Sequence, residues 1–289
     1  MNKEYWHFLI HGLIDKKTGA YSNFYASGEH LGEAWDLTLR NVDKVDFNNC
    51  ELIEASKLES FDELSLPSDT EMVADNLFIK SEIHTYKLTK KDIPFIPPIG
   101  IVKSSEDGEY DFDLIKEHFV VYNKDENGIY SFTMTPDKRN IEKLFFNSLE
   151  FIPSVDSVAL FLENDWENDK ETELWINKKL VEKQQIIDFI KNNISSTIRN
   201  GYVSTVIYCS IGETNLVIDS HKHLKLTTKD LSILDNFIKQ INNLGFKQTR
   251  DFYSLEYGFY HWHYRPYDSL DKTGFRDLLK KNKFEILKN

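Results

Sequence analysis

Strand-like segments come in groups along this chain, joined by turn residues, and helical periodicity separates the groups instead of alternating with single strands. That order argues against a repeated strand, helix, strand winding. It predicts an α+β fold of two domains, with mainly antiparallel sheets flanked by helices. Residues 5–14 and 21–26 read as strands with Gly19 in the turn between them, followed by a helix over about 30–41 and a strand over 51–55. Residues 57–74 are polar, acidic and aperiodic, and read as a surface loop. Residues 76–88 supply one or two further strands. Pro94, Pro97 and Pro98 hold the stretch to Gly100 extended, because each proline biases its predecessor away from the helical region.

Asp125-Glu126-Asn127-Gly128 has turn chemistry and predicts a hairpin joining residues 119–122 to 129–134. Thr135 and Pro136 suit the cap and first position of a helix running to about Ser148, with Ile141, Leu144 and Phe145 inward. Pro153 marks a boundary. Residues 1–150 therefore read as an acidic α+β domain with a sub-boundary near 93–100, and 154–289 as a second α+β domain carrying an aromatic, histidine-rich strand. In the second, strands are expected at 157–162, 174–176, 203–209, 216–219 and 284–287, with helices at 181–190 and near 275–279. The clearest helix places Leu231, Leu234, Phe237, Ile238 and Ile241 on one face, with Thr227 and Asp230 at capping-box spacing and Gly245 at the C-terminal cap.

Apolar residues make up 40% of the 289-residue chain, with only 12 Gly and 7 Pro, so enough surface can be buried to offset chain entropy, and disorder is expected only in short loops. The first eleven residues lack the uninterrupted apolar core of a secretory leader, and no run of 18 apolar residues occurs. Cys50 and Cys209 stand far apart in strand-like surroundings and read as reduced thiols. The cytoplasm is the expected compartment.

Charge is divided unevenly. Residues 1–150 hold 16 Lys and Arg against 28 Asp and Glu, whereas 151–289 hold 19 of each, so the net charge of -12 belongs to the first half. Between Glu51 and Asp113, 15 acidic residues face 6 basic ones, a density that repels phosphate and disfavours direct nucleic-acid binding. The same distribution suits a partner protein with a basic surface. In the second half, residues 163–173 carry an acid at every odd position around Trp166. An EF-hand register starting at Asp165 puts Lys170 where glycine is needed and Ile176 where the bidentate glutamate is needed, so the loop is no calcium site. Asp165, Trp166, Glu167 and Asp169 read instead as a solvated loop with an aromatic docking anchor.

Two His-x-His pairs, His221 with His223 and His261 with His263, stand out. On adjacent strands, alternation would project each pair from one face and gather four imidazoles, with Asp219 extending the row. Zinc takes such ligands, and a metal-dependent hydrolase with Asp219 or Glu256 as general base is the alternative reading. The leading one makes Tyr257, Phe259, Tyr260, His261, Trp262, His263 and Tyr264 an aromatic strand for contact with a partner, without a cofactor. His261, Trp262 and Tyr264 also suit contacts in a homo-oligomer.

No nucleophile elbow, phosphate loop, dinucleotide fingerprint or zincin motif is present. Ser269 and Lys272 match Ser-x-x-Lys, but Ser269 or Asp271 is better explained as a helix cap, and Cys209 as a buried thiol. The chain thus reads as a cytoplasmic protein-binding inhibitor or adaptor that occludes a basic partner stoichiometrically. In general character it resembles bacterial toxin-immunity proteins and phage-encoded inhibitors of host defence, a likeness of kind that carries over no site residues.

Overall fold

A row of directly paired residues crosses seven strands of one sheet: Trp175, Leu160, Thr205, Ile218, Leu224, Met134 and Phe119, all buried. Alternation along each strand sends these side chains to one face, where helical side chains meet them. This computed structural model describes residues 3–61, 66–89, 95–104, 114–168, 170–256 and 262–287, with two mostly antiparallel eight-stranded sheets and five α-helices among them. The fold is α+β, as the grouping of strands predicts.

The first sheet is built from β1 (Glu4–Asp15), β2 (Thr18–Gly28), β3 (Asn48–Leu58), β4 (Thr70–Ala74), β5 (Leu77–Lys80), β6 (His84–Lys87) and β7 (Ile101–Ser104). Its order is β15-β7-β3-β1-β2-β5-β4, with β6 also on β2 and β15 (Trp262–His263) returning from near the C-terminus. Only the β3–β7 pairing is parallel among these. Helix α1 (Leu31–Leu39) covers the face carrying Trp6, Phe8, Ile10, Phe24 and Ala26, and Trp35 meets Phe8 edge-on at 5.9 Å.

The second sheet runs β16-β11-β10-β12-β13-β14-β9-β8 and is antiparallel throughout. Its strands are β8 (Phe119–Tyr122), β9 (Tyr130–Met134), β10 (Ser157–Leu162), β11 (Glu173–Asn177), β12 (Val203–Cys209), β13 (Thr214–Ile218), β14 (Leu224–Thr228) and β16 (Glu285–Leu287). Helices α2 (Ile141–Phe151), α3 (Lys183–Asn192), α4 (Leu231–Asn243) and α5 (Lys272–Lys281) contribute to its single buried cluster. Among the described residues no helix is long and apolar enough to cross a membrane.

Several local expectations change. Helix α2 starts at Ile141, not after Thr135, because the Asp137 carboxylate accepts from Ile96 N at 2.9 Å and from Arg139 N at 2.9 Å. Those bonds hold residues 135–140 in a turn against the proline-rich segment. In α4, Asp230 alone is the cap, accepting from Ser232 N at 2.8 Å, while Leu231 is exposed and Ile233 buried in its place. Residues 57–74 are not all loop: β3 continues to Leu58 and β4 begins at Thr70. Strand β14 stands where no strand is expected. The sheets also do not divide at 150–154, since β8, β9 and α2 belong with the second sheet, and β15 with the first.

Candidate functional site

The acidic loop and the aromatic segment marked in the sequence meet in one cleft of about 430 Å³ between the two sheets. Glu4, Trp6 and Lys57 come from β1 and β3, and Glu29, His30 and Leu31 from the entry to α1. Asp165, Trp166 and Glu167 arrive on the loop after β10, and Tyr202 just before β12. Trp262, His263, Tyr264, Arg265 and Asp271 close the ring. Six of the residues predicted as partner contacts are thereby brought together. Asp169, Tyr257, Phe259, Tyr260 and His261 lie outside the described residues.

Trp166 is not an exposed anchor. Asp165 (φ 64°) and Glu167 (φ 58°) both take the left-handed backbone conformation, unusual without glycine, and between them the indole is turned inward. It is 1% exposed, stacked on Tyr202 at 6.0 Å and 5.9 Å from Phe275, while the flanking carboxylates stay in water. Asp165 and Glu167 are solvated as their charge implies, and the ring between them is not. Tyr264 is likewise buried, at 6% exposure, and Trp262 is half-buried and edge-on to Trp6 at 5.1 Å. These rings are walls of the cleft.

The charged lining is partly self-neutralised. Lys57 Nζ lies 2.5 Å from Glu4 Oε1 and 5.6 Å from the Trp6 ring centroid. Arg265 Nε is 3.7 Å from Glu167 Oε1, and Asp271 Oδ1 caps α5 by accepting from Gly274 N at 2.6 Å. The carboxylates of Glu29 and Asp165 have no ion-pair partner among the described residues. Tyr202 donates its hydroxyl to His263 O at 2.7 Å, and burial pushes that phenol up to about 12. Burial, together with His221 and Lys222, pushes His263 down to about 3, so its ring is neutral at ordinary pH.

Behind His263 lies a second constellation. The first His-x-His pair sits in the turn between β13 and β14, not on a strand, so strand alternation does not align it. His221 stacks 6.3 Å from His223 and meets His263 edge-on at 4.9 Å. Leu255 N–H donates to His223 Nε2 at 3.2 Å, which fixes that nitrogen as an acceptor and puts the proton on Nδ1, 3.1 Å from Asp219 Oδ2. Ser254 Oγ is 3.0 Å from the same Nε2. The order Asp219, His223, Ser254 is that of a general-base chain acting on a hydroxyl. However, Nε2 is shared with a backbone N–H, Ser254 is buried, and it does not line the cleft. The network fastens the turn to residues 254–256.

Asp219, His223 and Glu256 form a group whose ligand atoms lie within 4.8 Å of one another. His221 and His263 do not join it, and Lys225 Nζ stands 2.6 Å from Asp219 and 3.4 Å from Glu256. That ammonium already answers both carboxylates, so a divalent cation would have to displace it. Burial works against the charge of Asp219, but His223 and Lys225 hold its carboxyl well below the usual range. Of the four imidazoles of the alternative metal reading, His221, His223 and His263 do not converge as one ligand set, and His261 lies outside the described residues.

Glu4, Trp6, Glu29, His30, Tyr202 and Arg265 were not legible as site residues, because sheet pairing, not local spacing, brings them together. A shallow basic groove was also missed. Lys138, Arg139, Lys143, Lys191 and Arg199 line it, drawn from three separated stretches, though Glu51, Asp137 and Glu142 pair with three of them. Comparison with known proteins finds no matching family model, no matching curated protein and no matching solved structure.

Proposed function

We propose that this chain is a cytoplasmic protein-binding inhibitor or adaptor that occludes a basic partner stoichiometrically. In that role it is comparable in kind to immunity proteins and anti-defence inhibitors. The observation that carries the reading is the cleft itself, where acidic residues from both sheets surround aromatic walls and two carboxylates remain uncompensated. Negative potential of this sort steers a positively charged partner, and the half-buried Trp262 beside it offers the apolar contact that charge alone does not. The acidic first half extends the same field and disfavours phosphate. The zinc-hydrolase reading has weaker support, because Lys225 occupies the position between its carboxylates.

The test is identification of the partner by affinity capture from the native host, followed by calorimetry of the purified pair over increasing salt. A one-to-one complex that weakens steeply with salt and suppresses the partner's activity is expected. Affinity that stays constant from low to high salt rules out electrostatic steering.

A further inference from the structure

Two surfaces of the chain carry unanswered charge of opposite sign around an apolar side chain. In the basic groove the floor is Phe146 of α2, half-buried, with Ile194 beside it just after α3. Lys138, Arg139 and Arg199 already pair with Glu51, Asp137 and Glu142, but Lys143 and Lys191 are exposed and have no carboxylate partner among the described residues. Both flank Phe146. Lys191 Nζ stands 5.1 Å from its ring centroid, and Lys143, three residues earlier on the helix, places its Cβ within about 6 Å.

The other surface is β4, the last strand of the first sheet, with no strand beyond it among the described residues. Met72 at its centre is 66% exposed, more than any other large apolar side chain described, and it borders an open depression of about 620 Å³ with Tyr5, Phe61 and Phe78. Lys80 answers Asp69 at 3.9 Å and Glu82 at 3.3 Å, whereas Glu71 and Asp75 stay exposed without a cation among the described residues. Glu71 adjoins Met72, and Asp75 follows it by three positions, about 10 Å along an extended chain. A lone exposed methionine is ordinary, but this one is flanked by the charge that the groove lacks.

We propose that the groove receives the β4 edge of a second copy of this chain, with Met72 against Phe146 and Ile194 and the acids flanking it against Lys143 and Lys191. A flexible thioether adapts to an irregular apolar floor and makes favourable contacts with an aromatic ring, and the Lys191 ammonium exchanges that ring for a carboxylate. A second copy fits better than nucleic acid, because a net charge of -12 repels a continuous run of phosphates while one local match of opposite charges can still form. The contact joins unlike surfaces, so each pair leaves one groove and one edge free and association runs head to tail. Repulsion between two chains of net charge -12 keeps it weak.

The experiment is sedimentation velocity of the full chain from about 10 μM to about 1 mM at physiological salt, the range of weak association. Wild type should pass from monomer through dimer to larger species. Lys143→Glu with Lys191→Glu removes the groove, and Glu71→Lys with Met72→Lys removes the edge. Each variant should associate at least about tenfold more weakly with an unchanged melting curve, since all four side chains are exposed. Mixed one to one, the two variants should form a dimer and nothing larger, because one retains the edge and the other the groove. A wild type that stays monomeric throughout overturns the proposal, as does a mixture that stays monomeric while wild type associates, or a variant that associates like wild type. If a monomeric wild type binds a capped Asp-Leu-Asp peptide and the groove variant does not, the groove belongs to another acidic protein and the second copy is ruled out. Binding of a single-stranded oligonucleotide in place of the peptide rules it out in favour of nucleic acid.

Discussion

Lys222 carries an amine into the interior. It is fully buried, its backbone takes φ 65°, and its Nζ donates to Asn200 O at 2.6 Å and, more weakly, to Val203 O at 3.4 Å. Two backbone carbonyls do not replace a hydration shell, and burial pushes the amine down to about 7. Between about 7 and the ordinary value of 10.5 the unfolded chain therefore holds a proton that the native state lacks, so stability rises with pH across that window. The buried phenols of Tyr202 and Tyr264 act in the opposite sense. Held up to about 12, they keep protons that unfolded tyrosines lose from about 10 upward. The Cys50 thiol, likewise held up to about 12 by burial, acts in the same sense from about pH 9, so urea unfolding should show a stability maximum between about pH 9 and 10, approached with a slope near 1.4 kcal/mol per pH unit at about one proton. Lys222→Met should flatten the rise from 7 to 10, and an unchanged slope in that variant would refute the assignment. At the acid end His263, depressed to about 3, lowers stability as pH falls from 6.5 toward 3, because the unfolded imidazole takes up a proton the native ring refuses.

The β13–β14 turn shows what sequence patterning can and cannot reach. Alternation and turn chemistry locate strands such as β10 and β12 well, since these strands carry their own β-branched and apolar signal. The five-residue turn from Asp219 to His223 carries none, because its shape comes from Asp219 Oδ1 accepting His223 N at 2.9 Å and from the left-handed Lys222. Strand alternation therefore misplaces its histidines. The loop around Trp166 departs from its pattern for the same reason: two left-handed residues turn the indole away from the solvent that the charge spacing implies. Both cases involve backbone conformations that non-glycine residues adopt only when tertiary contacts repay them. The fastening role of His223 is testable in that light. His223→Ala leaves Leu255 N–H without its acceptor and removes one donor from Asp219, which keeps Lys225 and the backbone N–H of residue 223, and a loss of about 1–3 kcal/mol in denaturant unfolding is expected. Ser254→Ala removes two hydrogen bonds, Oγ to His223 Nε2 and Glu256 N to Oγ, and should cost about 1–2 kcal/mol. Equal and near-zero costs for both would show that the network fastens nothing.

The two sheets are joined by backbone at a point where side chains would obstruct. Gly201 N donates to Tyr264 O at 3.0 Å, and Tyr264 N donates to Gly100 O at 2.8 Å, so one residue of the cleft bridges the segment before β7 to the segment before β12. A Cβ on Gly201 would lie 1.9 Å from Gly100 O, closer than any real contact allows. Gly100 itself takes φ 102°, where a side chain is strained whatever the space. This junction sets the spacing of the cleft, since Tyr264 lies between Trp262 and His263 on one side and Arg265 on the other. The charge divide in the sequence acquires its meaning here: Glu4 of the first sheet and Asp165 and Glu167 of the loop after β10 share one cavity beside this junction. Gly201→Ala should destabilise the fold by about 1–3 kcal/mol, and should change the fluorescence of the cleft tryptophans even in buffer where the chain remains folded. A variant with the wild-type unfolding midpoint and an unaltered tryptophan spectrum would mean that the sheets keep their spacing without this contact. The outcome separates a cleft built by close backbone approach from one held open by its side chains alone.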